Sequence, residues 1–286
     1  MPHMLKEALS TVLPPEEVSQ LYSAFDMIGD IVIIKIPDTL IEKKTLIGGA
    51  ILQNVKTAKS VFMQSSAVRG DYRIRDLEFV SGVNKTLTEY REHGCRFRVD
   101  VAKTYFSPRL STERERIASL VADGEVIVNM FGGVGTYSIV IARKHKKCLV
   151  YNIDSNEAAA ELCRINSVLN KVNERVVSIH DDADAAIRRT LTGIADRVLM
   201  PLPERASSYM ESAIAALKAE GGMIHYFCHL KADNKAAAGD AAISEVDRAF
   251  AGHDVVIKGI KIVREVGPRI YQVVADTWVG GKSERI

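Results

Sequence analysis

The chain has 286 residues, 47% of them hydrophobic and 26% charged, and its 38 Lys plus Arg against 36 Asp plus Glu leave a net charge of +2. That balance suits a globular protein with a sizeable core and excludes disordered, collagen-like and low-complexity classes. No apolar run reaches the roughly 18 residues of a membrane helix, and Met1 to Leu13 lacks the apolar centre of a signal peptide, so no membrane partner and a cytoplasmic location are expected.

Helical spacing over Leu5 to Leu13 and Glu16 to Tyr22 is interrupted by Pro14 and Pro15, which suit a helix stop and a new first turn. Asp30 to Ile36 is strand-like and closes at Pro37, after which Asp38 is placed to cap a helix running through Ile41, Leu46 and Ile51. From Ser60 to Val101, short β-rich runs are separated by Gly70, Gly82 and Gly94. Residues 1–110 therefore read as a small α+β domain. Lys56 to Arg116 holds 13 Lys plus Arg against 8 Asp plus Glu, a local excess of +5, and Arg91, Arg96 and Arg98 are its candidate phosphate contacts.

A helix over about Ser111 to Val121 follows, with Ser111 or Thr112 as its cap and Glu113 and Glu115 in the first turn. Strands and helices then alternate through EVIVNMF, CLVYNID, RVVSIHD, DRVLMPL and GGMIHYFCHL. This pattern predicts an α/β, doubly wound parallel sheet over residues 111–286. The last two β-rich runs leave no room for a crossover helix and read as an antiparallel pair at the sheet edge. Cys95, Cys148, Cys163 and Cys228 lack C-x-x-C spacing and read as buried thiols, with no metal site expected.

The first strand of the sheet runs into Phe131-Gly132-Gly133-Val134-Gly135, a turn that lets backbone approach a ligand at a helix N-terminus. The third glycine of a dinucleotide fingerprint is missing, which disfavours NAD. Asp154 ends the second strand, where a carboxylate can accept ribose hydroxyls, and Asp182 ends the third, where it can reach an adenine amino group. Either aspartate could instead be a helix cap. Three such features at one crevice point to an adenosyl ligand, and a methionine tail beside glycine amides fits S-adenosylmethionine.

Phe25 to Pro37, Gly70 to Gly82, GCRFRVDVAKTYFSPRLSTERERI (Gly94 to Ile117), NMFGGVGTYSI, DRVLMPLPERA and GGMIHYF together resemble the archaeal and eukaryotic tRNA (guanine-37, N1) methyltransferases. The likeness covers nearly the whole chain, with FSPRLxxER as its most specific part. It implies a class I, Rossmann-like methyltransferase fold, S-adenosylmethionine as cofactor, and a monomer acting on the anticodon region of tRNA. It also implies Glu113 as the proton acceptor and Arg73 or Arg75 as the cation at guanine O6. Phe131, Gly133, Gly135, Asp154, Asp182, Arg109, Pro201 and Leu202 are the implied cofactor-site residues.

The related wybutosine-pathway aminocarboxypropyl transferases share the fold, and Arg109-Leu110 with Leu202-Pro203 favours methyl transfer over that chemistry. Methylation of a wyosine precursor and a non-catalytic RNA-binding role are two further activities compatible with the same resemblance. The chain departs from the family pattern where Pro201 replaces an asparagine, Gly132 an alanine, and Thr136-Tyr137 a Pro-Phe pair. Without the extra N-terminal domain of many members, looser discrimination of whole tRNA is expected.

Overall fold

The computed structural model describes residues 9–10, 12–21, 25–65 and 75–280. The chain divides into two compact units, Met1–Ser111 and Thr112–Ile286. In the first, α1 (Pro15–Gln20) precedes β1 (Asp26–Ile28) and β2 (Ile31–Ile34). A 3-10 turn over Asp38–Lys43 leads into α2 (Lys44–Asn54), and β3 (Ser60–Gln64) and β4 (Leu77–Gly82) complete a four-stranded sheet in the order β1-β2-β3-β4. The parallel β2–β3 pair requires a crossover, which α2 supplies. Ile47 and Ile51 of that helix join Val32, Ile34, Val61 and Met63 in the core.

A separate antiparallel pair, β5 (Leu87–Glu92) and β6 (Cys95–Asp100), sets Glu89 opposite Arg98 and Arg91 opposite Arg96. Thr88, Glu92, Phe97 and Val99 point inward, so the alternate positions carrying the three arginines face water.

In the second unit, α3 (Ser111–Leu120) leads to β7 (Val126–Asn129), α4 (Thr136–Lys144), β8 (Leu149–Asp154), α5 (Glu157–Leu169) and β9 (Val176–His180). Then come α6 (Ala183–Ala186), β10 (Arg197–Met200), α7 (Met210–Ala216), β11 (Gly221–Lys231), α8 (Lys235–Ala249), β12 (Val255–Gly267) and β13 (Ile270–Gly280). The sheet order is β12-β13-β11-β10-β7-β8-β9, parallel from β11 through β9, with β13 antiparallel to both neighbours. From β7 the chain winds first toward β9 and later toward β11. The crevice where that direction reverses, outside the carboxyl ends of β7 and β10, is where such sheets bind ligands. The expected doubly wound sheet with an antiparallel edge pair is the observed one, with β13 inserted inside β12.

Several local expectations need correction. Asp38 makes no cap hydrogen bond; it opens the 3-10 turn, and the helix begins at Lys44. Ser111 has helical dihedrals because Pro108–Leu110 already forms a 3-10 turn, and its hydroxyl meets His93 Nε2 at 2.8 Å instead of capping α3. The strand expected to run through Arg75 begins only at Leu77, so strand alternation does not set the direction of that side chain. Arg73, and most of the helix expected over Leu5 to Leu13, lie outside the described residues.

Candidate active site

The turn after β7 is shaped by what each glycine faces. Gly132 donates its N–H to Ile153 O at 2.8 Å, and a Cβ there would stand 2.1 Å from Asn152 Oδ1. Gly135, at φ +88°, lies so close to α5 that a Cβ would meet Cys163 Sγ at 2.6 Å. Gly133, at φ +55°, has open space where its Cβ would be. The first two serve packing, and the third presents bare backbone.

Asp154 holds that backbone in place. Its Oδ2 accepts the Gly133 N–H at 2.7 Å and its Oδ1 accepts the Asn156 N–H at 2.9 Å. Burial pushes this carboxyl above the usual carboxylate range, against the pull of those two donors. Beneath the turn, Ser138 Oγ donates to Asn152 Oδ1 at 2.6 Å and Asn152 Nδ2 reaches Gly133 O at 3.3 Å. One carboxylate thus fixes the turn and still has lone pairs to accept ligand hydroxyls.

Asp182 both caps and anchors. Its Oδ1 accepts the N–H groups of Asp184 and Ala185 at the start of α6, while Oδ2 takes the Tyr209 hydroxyl at 2.6 Å. Phe131 stands edge-on to Tyr209 with ring centroids 5.1 Å apart, so Phe131, just after β7, and Asp182, just after β9, both touch Tyr209. Pro201 and Leu202, directly after β10, are half-buried.

Glu113, only 4% exposed, is gripped by Arg116 through Nε to Oε2 at 2.9 Å and Nη2 to Oε1 at 2.6 Å. The same guanidinium donates to Asp276 at 2.6 and 3.1 Å. Asp276 Oδ1 lies 2.6 Å from His225 Nδ1, His225 Nε2 lies 2.7 Å from Arg197 Nη1, and Arg197 forks onto Glu125 at 2.6 and 2.9 Å. Because arginine only donates, His225 Nε2 accepts and the proton sits on Nδ1, facing Asp276. Burial lowers the pKa of this imidazole and Asp276 raises it only in part. Burial would raise Asp276, yet hydrogen bonds from His225 and Arg116 hold it at about 2. Burial lifts the Glu113 carboxyl above its ordinary range despite Arg116.

In the first unit, Arg75 Nη1 reaches Asp26 Oδ2 at 3.2 Å and Arg109 Nη2 reaches Asp26 Oδ1 at 2.8 Å. Asp26 therefore joins two candidate arginines from separate motifs. Arg91 and Arg96 both bond Glu89, at 3.1 Å for the former and 3.0 and 2.6 Å for the latter. Arg91 and Arg98 also line an open groove of about 1070 Å³, together with Lys56, Lys59 and Lys85, against the carboxylates of Asp30 and Glu89.

A family model described as the TRM5/TYW2 methyltransferase domain matches residues 88–257, and one described as the TYW2 N-terminal domain matches residues 5–86. The tRNA (guanine(37)-N(1))-methyltransferase Trm5b of Pyrococcus abyssi is 38% identical over 92% of this chain and 77% of its own length. The chain belongs to the TRM5/TYW2 methyltransferase family. The tRNA 4-demethylwyosine(37)-methyltransferase Taw21 of Saccharolobus solfataricus is 33% identical over 91% of this chain and 95% of its own length. The solved complex of aTrm5 with tRNALeu superimposes with a TM-score of 0.83 at 34% identity, over 98% of this chain and 79% of that one.

Within this TRM5/TYW2 chain the residues that sequence reasoning missed are Asp26, Arg116, Tyr209, His225 and Asp276. Each acts through a partner distant in sequence, and only Arg116, three residues from Glu113 on one helix face, left a spacing signal. The glycine at 132, where the family pattern has alanine, is explained by Asn152. Gly132→Ala should lower stability by about 1–3 kcal/mol through overpacking, Asn152→Ala should lower it separately by breaking buried hydrogen bonds, and the double variant should lose less than the sum of the two because the overpacking is relieved. Thermal melts of the two single variants and the double variant check this coupling.

Proposed function

We propose that this chain transfers the methyl group of S-adenosylmethionine to N1 of guanosine 37 in tRNA. The observation that carries this reading is the joint presence, in a TRM5/TYW2 chain, of an open glycine turn pinned by Asp154 and a buried carboxylate, Glu113, in the FSPRLxxER segment.

Gly133 and Gly135 would face the methionine part of the cofactor, Asp154 its ribose and Asp182 its adenine, with Phe131, Pro201, Leu202 and Arg109 completing the contacts. When bound, the cofactor supplies an electrophilic methyl group. Guanine N1 carries a proton that must leave as the new N–C bond forms. Glu113 accepts it, and a carboxyl lifted by burial holds that proton better than an exposed one does. Arg75 or Arg73 stabilises the negative charge that develops on O6. The exposed face of the β5–β6 hairpin and the basic groove beside it supply phosphate contacts, which position tRNA without reading sequence.

A second reading, methylation of a wyosine precursor or aminocarboxypropyl transfer at the same nucleotide, is favoured by one observation. Pro201 carries no side-chain amide where the family's asparagine would touch guanine. Mass spectrometry of nucleosides from tRNA incubated with the protein and S-adenosylmethionine separates the readings. We expect one added methyl group on guanosine 37; a gain matching aminocarboxypropyl, or a product only from a tricyclic precursor, moves the assignment to the second reading. Glu113→Gln should slow the single-turnover step about 10²- to 10⁴-fold with little change in tRNA or cofactor affinity.

Asp154→Ala should weaken S-adenosylmethionine binding by about 1.5–3 kcal/mol, as for hydrogen bonds to a charged acceptor. Calorimetry on a variant that melts normally checks this, and unchanged affinity removes the ribose assignment. Charge reversal at Arg91, Arg96 and Arg98 should weaken tRNA binding and flatten its salt dependence. Titrations at several salt concentrations measure that slope, and an unaltered slope returns the hairpin to a solvated face.

A further inference from the structure

The grip of Arg116 on both oxygens of Glu113 poses a problem for the proposed proton transfer. A buried carboxylate locked to a half-buried guanidinium is normally a poor base, because protonating it leaves the cation with one partner fewer. The structure contains the answer in Asp276, which binds the same guanidinium from β13 at 2.6 and 3.1 Å. Glu113, Arg116 and Asp276 together carry one cation and two anions. When Glu113 takes a proton, the trio becomes neutral and Arg116 keeps a full ionic partner. Without the Asp276 charge, the same proton would leave the half-buried Arg116 without an anionic partner.

We propose that Asp276 and Arg116 are positioning residues for the methyl transfer, Asp276 sharing the Arg116 guanidinium so that Glu113 can give up its half of the ion pair when it accepts the N1 proton. This inference rests on the reading of Glu113 as the base. His225 completes the device. Its Nδ1–H, 2.6 Å from Asp276 Oδ1, keeps that carboxylate ionised, and its Nε2 is turned away by Arg197, which is itself neutralised by Glu125. Among the described residues, the charged groups acting on Glu113 are Arg116 from its own helix, Asp276 from β13 and Lys261 from β12. Arg116 and Lys261 favour its ionised form, and Asp276 alone of the three favours the protonated one. The protonated form is the one the reaction produces.

The test uses the full chain with ¹³C-labelled glutamate carboxyls, the Glu113 resonance being the one absent from Glu113→Gln. Asp276→Asn should lower the Glu113 titration midpoint and move the acidic limb of the single-turnover rate to lower pH. At neutral pH the chemical step should slow severalfold, well short of the roughly 10²- to 10⁴-fold loss on removing the base. Asp276→Glu, which restores the charge, should recover both midpoint and rate, whereas a packing role would make the longer side chain worse. Arg116→Gln should move midpoint and limb upward, the opposite way, and provides the same test while leaving Asp276 and His225 in place. A midpoint that stays put in both Asp276→Asn and Arg116→Gln, or a rate profile that does not follow it, overturns the proposal. A Glu113→Gln enzyme with the wild-type single-turnover rate overturns the base assignment instead, and the NMR titration still reports whether the three groups are coupled.

Discussion

Two buried carboxylates sharing one half-buried guanidinium is an arrangement that constrains everything around it. Removing one partner of a largely buried ion pair is costly because the other charge is left less well compensated. Arg116 on α3 is held by Asp276 on β13 as well as by Glu113, and Asp276 in turn by the Nδ1–H of His225 on β11. Arg197 on β10 holds the imidazole in that tautomer, and Glu125, just before β7, holds Arg197. The chain of contacts crosses β13, β11 and β10 and ties α3 to the sheet. It gives the first-turn carboxylate of that helix a defined position.

The same logic governs the glycine turn. A bare backbone segment is useful to a ligand only if it does not collapse, and Asp154 prevents collapse by accepting the Gly133 N–H from the end of the neighbouring strand. Below it, Ser138 donates to Asn152 Oδ1 and accepts from Asn129 Nδ2, and the Asn152 amide donates to Gly133 O, so protein groups support the turn. Gly132 and Gly135 are then fixed by their neighbours, Asn152 and Cys163, and only Gly133 remains open. The topology places this turn at the point where the strand order reverses, and the local hydrogen bonds make it rigid enough to use.

Much of this was legible in the sequence, and the reason is physical. Parallel strands buried on both faces read as continuous apolar runs, so VIVN, LVYNID and RVLM marked the sheet, and carboxylates at strand ends marked the crevice. Asp182 shows the limit of that logic. It caps α6 and binds Tyr209, and nothing in HDDADAA announces the second partner. Asp26 joins Arg75 and Arg109 across 49 and 83 positions, and Asp276 joins Arg116 across 160. No periodicity connects such residues. The helix boundaries went wrong for a different reason, since Asp38 and Ser111 are sound caps by composition, and 3-10 turns took their places.

Pro201 is intelligible in the same terms. A proline at the carboxyl end of β10 offers neither a side-chain amide nor a backbone N–H, so this position can only accept hydrogen bonds. The Watson–Crick edge of guanine presents one acceptor, O6, and two donors, the N1–H and the 2-amino group. Under the proposed assignment the protein answers with an arginine at O6, Glu113 at N1 and a main-chain carbonyl at the amino group, one donor against two acceptors. Adenine reverses the pattern at N1 and at its exocyclic group and would leave the arginine and Glu113 facing like partners. Because a site built on hydrogen bonds rejects a ligand that leaves its buried polar groups unpaired, loss of the asparagine removes a contact from guanine recognition without removing its sign. Methylation then cancels one of the two donors, and Glu113, now holding the proton, has nothing left on N1 to accept.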